Sequence, residues 1–170
     1  MIAGDPYKFA IITEFIPNWN LNNSWHNGVI LFSINGNLLF NEIRTSTLDV
    51  DLYEFINNIK RLDADLPINT LIYEMEKYSA FIEMYNTSFP SDINIPNNYT
   101  YRISTSILED DNYYIFAVAS RNSIRILGAK LKNPSMECDK IVEVTFSRSY
   151  LSHFLKELLG LVKKMKCYGC

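Results

Sequence analysis

Four apolar stretches, Tyr101 to Leu108, Asn112 to Ser120, Ser123 to Lys132 and Lys140 to Ser147, follow one another with little between them. Glu109-Asp110-Asp111 separates the first two and Arg121-Asn122 the next two. Parallel strands need a crossover of about a dozen residues or more, so connections this short admit only antiparallel pairing. That excludes the doubly wound and barrel α/β folds and predicts a four-stranded meander in the C-terminal half.

The N-terminal part repeats the theme. Tyr7 to Ile16 reads as a strand closed by Pro17. Val29 to Ile34 and Asn37 to Asn41 flank Asn35-Gly36, the pair that tolerates positive φ at both central positions of a type I′ hairpin turn. Between these elements, Asn18 to Gly28 is a loop of turn formers that carries Trp19 and Trp25 as aromatic anchors.

At Thr47 the apolar period changes from two to that of a helix. Leu48, Leu52, Phe55, Ile56, Ile59 and Leu62 form one stripe, with Thr47 placed to cap a helix that runs to Asp63. Leu71, Met75, Tyr78, Ile82 and Tyr85 predict a second helix after Pro67, and Tyr150 to Met165 an amphipathic third from Ser149. The order is βββ-αα-ββββ-α, an α+β chain with one antiparallel sheet of about seven strands packed with three helices. Its 170 residues fit a single domain over 1–166, with 167–170 as a flexible tail.

Chemistry-bearing residues are sparse. The only histidines are His26, beside Trp25 in the loop, and His153, placed within the apolar face of the last helix. Cys167 and Cys170 have the spacing of half a zinc site but lack the second pair, and Cys138 stands alone. No Gly-x-Gly or Gly-Lys-Ser element offers a phosphate cradle, so no cofactor is expected. The longest apolar run, Tyr113 to Ala119, cannot span a bilayer, and Met1 to Pro6 lacks a basic start followed by apolar residues. These features predict a cytoplasmic protein that binds neither membrane nor nucleic acid.

Charge carries more information. Residues 1–139 hold 17 acidic and 10 basic side chains, a balance of −7, whereas residues 140–170 hold 2 acidic and 6 basic, a balance of +4. Two acidic groups stand out: Asp49, Asp51 and Glu54 in the first helix, and Glu109, Asp110 and Asp111 in the turn. Helix-dipole complementation and a solvated turn would account for them without a partner. A negative surface that meets a basic partner is the functional alternative. Together with Trp19 and Trp25, these six residues are the candidate partner-binding set.

Three segments carry a resemblance. They are Met1-Ile2-Ala3-Gly4-Asp5-Pro6 running into the strand from Tyr7; Ser106-Ile107-Leu108-Glu109-Asp110-Asp111-Asn112-Tyr113, followed by strand, tight turn and Arg125-Ile126-Leu127; and the closing strand and helix, Val144 to Leu159. In these the chain resembles bacterial polymorphic-toxin immunity proteins, including those of contact-dependent growth inhibition, and most of all the immunity protein 42 class. The resemblance implies a cytosolic inhibitor that binds one toxin domain and performs no catalysis, and an acidic body suits a basic nuclease toxin. The competing readings are a small hydrolase or nuclease that uses His26 with carboxylate partners, and an adaptor that docks another protein through Trp19 and Trp25.

Overall fold

The computed structural model describes residues 1–20, 26–39, 45–132 and 137–167. Asn35 and Gly36 take φ of 51° and 73°, the paired positive values of a type I′ turn, and set Ile34 opposite Asn37. The strands joined by this turn, β3 (Asn27–Ile34) and β4 (Asn37–Leu38), belong to a five-stranded antiparallel sheet. On one side β3 pairs with β2 (Phe9–Phe15), which pairs in turn with β1 (Ile2–Gly4). On its other side, the opposite end from β4 holds β5 (Thr45–Thr47). Within β3, a side chain at Gly28 would collide with the backbone carbonyl of Glu14, so only glycine fits this pairing. The predicted end of β4, Asn41, lies outside the described residues.

The C-terminal half forms a separate four-stranded antiparallel sheet. β6 (Tyr113–Ser120) and β7 (Ser123–Lys132) make its hairpin, and β7 continues against β8 (Glu137–Cys138) and β9 (Val142–Ser147). The α+β antiparallel class therefore stands, but the nine strands of the described residues divide between two sheets where one sheet of about seven was expected. The expected strand Tyr101 to Leu108 is a correction. Only Arg102 makes an isolated bridge, to Phe116, and Ser106–Glu109 coil into a short helix, α4. The apolar alternation holds only at the start: the Ile103 amide donates to Ile115 and the Ala117 amide to Tyr101 along the edge of β6, and beyond Ser104 the chain leaves that edge and Leu108 is buried from α4.

The first predicted helix is α1 (Leu48–Ala64). Thr47 takes the N-cap position, yet its hydroxyl donates to Asn27 Oδ1 and not to the helix end. The second predicted helix is broken into α2 (Thr70–Glu74) and α3 (Lys77–Ser88). Arg125 causes the break: its Nη1 donates to the carbonyls of Tyr73 and Met75 at 2.8 and 2.7 Å, satisfying acceptors that a continuous helix would use internally. Glu76 then starts α3 by accepting from the Tyr78 and Ser79 amides, as Asn69 starts α2 through Ile72. The last helix, α5, spans Arg148–Cys167, and residues 168–170 of the expected tail lie outside the described residues.

The second sheet is buried on both faces. Ile115, Ala117, Ala119, Ile124 and Ile126 face a core shared with the first sheet, α1 and α5, while Tyr114, Phe116, Val118, Ala129 and Leu131 pack under α2 and α3. Phe9, Phe32, Phe55, Phe146 and Phe154 knit the larger core. Among the described residues two buried hydroxyls have no hydrogen-bond partner, those of Thr105 and of Thr13, the latter 1% exposed. A buried unpaired hydroxyl costs roughly 1 to 3 kcal/mol. Thr13→Val is therefore expected to stabilise the fold by about 1 kcal/mol, read as a higher urea midpoint at unchanged slope; a lower midpoint would contradict it.

Candidate partner-binding surface

One residue from each acidic group nominated from the sequence, Glu54 and Glu109, meets the other at one place. α1 lies alongside the segment 102–109, and Arg102 stands between them with its side chain only 14% exposed. Its Nη2 reaches Glu54 Oε1 at 3.2 Å and its Nε donates to Glu109. Glu54 also accepts from the Ser106 amide at 3.0 and 3.1 Å and from its hydroxyl at 3.1 Å, and Glu109 accepts from the Ser104 hydroxyl at 2.6 Å. Burial pulls Arg102 down, but the two carboxylates outweigh it and hold its pKa above the ordinary value. Asn58, buried on the same helix, donates to the Ser104 carbonyl at 2.8 Å. The cluster is a brace that ties α1 to the chain entering the second sheet.

Asp51 is turned inward. It is 7% exposed and takes the Ser46 hydroxyl, and burial pushes its carboxyl upward against that hydrogen bond. Asp110 is exposed at the end of α4, and Asp111 is half-buried. Trp19 is 42% exposed in a 3-10 turn, Pro17–Trp19, and its carbonyl accepts from Asn27 Nδ2 at 3.2 Å. Trp25 lies outside the described residues.

Asp49 differs from the other acidic positions. Its Oδ2 accepts from both the His26 amide, at 2.9 Å, and His26 Nδ1, at 2.8 Å, while its Oδ1 makes no hydrogen bond among the described residues. His26 is held on its other side by the Phe15 ring, 5.5 Å away between centres. Asp49 stands at a cleft of about 200 Å³ between the start of α1 and the end of α5, lined also by Leu48, Leu52, Tyr53, Ile56, Val162 and Met165. Val50 and Tyr53 of α1 are 51% and 68% exposed, and Tyr53 belongs to that lining. The sequence signal for these two was present, since both fall off the buried stripe of α1 yet are large and apolar. Arg102 carried no such signal, being read as part of a strand.

The remaining chemistry-bearing residues are dispersed. His153 is not inside the apolar face of α5 as expected: its side chain is 68% exposed and pairs with Glu157 at 3.2 Å, one turn along the helix. The thiol of Cys138 is pushed up to about 11 by burial and by Asp139, the opposite of an activated nucleophile. Among the described residues no group of three or more histidine, cysteine or acidic side chains could hold a metal, and no helix is long and apolar enough to cross a membrane.

The family model of immunity protein 42 matches residues 1–160. A crystal structure of CdiI from Burkholderia dolosa is similar in fold, with a TM-score of 0.79 at 24% identity over 96% of this chain and 99% of that one. No curated protein sequence matches.

The brace has a measurable consequence. Arg102→Met leaves Glu54 and Glu109 facing each other with their cation gone, and is expected to cost about 3 kcal/mol. Equilibrium urea unfolding checks this; a loss below about 0.5 kcal/mol would show that the cluster does not fasten α1.

Proposed function

Because the chain belongs to the immunity protein 42 family, we propose that it protects the cell that makes it by binding one cognate toxin domain, delivered through contact between bacteria, and blocking it without catalysis. The observation that carries this reading is the family match over residues 1–160, which takes in every element from β1 to most of α5.

A stoichiometric inhibitor needs a surface already shaped before its partner arrives, because ordering side chains on binding reduces affinity. The brace around Arg102 supplies that for α1. Of the nominated partner-binding residues, Trp19, Asp49 and Asp110 keep atoms open to a partner, whereas Asp51, Glu54 and Glu109 act as supports from within. Inhibition takes place in the cytoplasm, where a delivered toxin would act, and a basic toxin surface is the natural complement of the acidic body.

Co-expression with the toxin domain encoded beside this chain's gene tests the proposal. Cells carrying both are expected to grow and to yield a one-to-one complex on purification. Growth arrest despite soluble chain, with no complex formed, would overturn it.

A further inference from the structure

We propose that the cleft between α1 and α5 is a socket for a single lysine or arginine side chain of the bound toxin domain. The inference rests on the toxin-binding reading and deepens it by naming the chemistry of the contact.

The cleft has two distinct ends. Its floor and walls are aliphatic: Leu48 and Leu52 are fully buried, Ile56 nearly so, and Val162 and Met165 close the α5 side. The cleft is open to solvent on one side and measures about 200 Å³, a volume that takes the end of one long side chain. At the mouth stand a carboxylate and an aromatic ring, Asp49 and Tyr53. An apolar ligand would leave Asp49 unsolvated without compensation, and an anionic one would be repelled. A lysine or arginine stem can instead cover the aliphatic lining while its charged head remains at the mouth.

The head group has a receiver. Both hydrogen bonds to Asp49 from His26 fall on Oδ2, which fixes the carboxylate plane and leaves Oδ1 to accept from a cation. Tyr53, 68% exposed and lining the same cleft, can bring its ring to the same charge. Among the α5 side chains that the structure describes, Lys163 and Lys164 lie on the exposed side, away from the stripe of Leu158, Leu161 and Met165. The other nominated carboxylates serve this role poorly, since Asp51 is internal and Glu54 already receives Arg102 and Ser106. The socket thus explains why one acidic residue of the helix's first turn is oriented yet half unused.

The test measures the affinity of the purified chain for its neighbouring-gene toxin domain by calorimetry, with thermal unfolding of each variant in parallel. Asp49→Asn keeps an acceptor for His26 but removes the charge, Tyr53→Ala removes an exposed ring, and Val162→Phe fills the cleft. Each is expected to weaken binding about tenfold or more, with Asp49→Asn and Tyr53→Ala unfolding near the parent temperature. If those two bind like the parent, the socket is wrong while toxin neutralisation stands. If only Asp49→Asn weakens binding, the carboxylate acts as a surface charge and occupancy of the cleft is refuted. If the parent chain itself fails to bind, the proposed function falls first.

Discussion

The packing of one phenylalanine cluster holds the architecture in register. Phe9 and Phe32 come from the first sheet, Phe55 from α1, Phe154 from α5 and Phe146 from the second sheet. Phe32 meets Phe55 edge-on at 5.0 Å between ring centres, and Phe9 lies 5.2 Å from Phe154. All but Phe146 are fully buried. Such rings contribute both area and preferred orientation, so the cluster fixes where α1 and α5 lie on the sheets. The cleft follows from that placement, because beyond the rings the two helices face each other through leucine, isoleucine, valine and methionine.

Charge is arranged around this core in a way its total conceals. An acidic body of −7 implies a broadly negative surface, yet the carboxylates of α1 are individually assigned. Asp51 supports β5 through Ser46, Glu54 shares Arg102 with Glu109, and Asp49 is oriented by His26. The acidic first turn also complements the dipole of a helix with 17 residues. A small number of fixed carboxylates discriminates between partners better than a diffuse field, which mainly raises the rate of encounter.

Local chemistry was legible in the sequence, and long-range chemistry was not. Asn35-Gly36 encodes its own turn, and the stripes of α1 and α5 are long enough to fix helix and buried face together. The break between α2 and α3 was invisible because the side chain that causes it, Arg125, sits 50 residues from Met75. The same holds for segment 101–108, whose apolar pattern fits a strand until Glu54 and Asn58 of α1 claim its backbone. Both acidic groups were recognisable as unusual, but the meeting of Glu54 and Glu109 at Arg102 depends on how the two sheets pack. Tyr53 and Val50 could be noticed as apolar residues off the stripe; that Tyr53 lines a cleft with Asp49 required α5 to be in place.

Hydrogen–deuterium exchange of the chain alone and in complex with the toxin domain reads out the proposed contact at the open end of the α1–α5 pair. Binding there slows exchange in residues 48–56 of α1 and 159–165 of α5. Slowed exchange confined to α2 and α3, with those two segments unchanged, would contradict it.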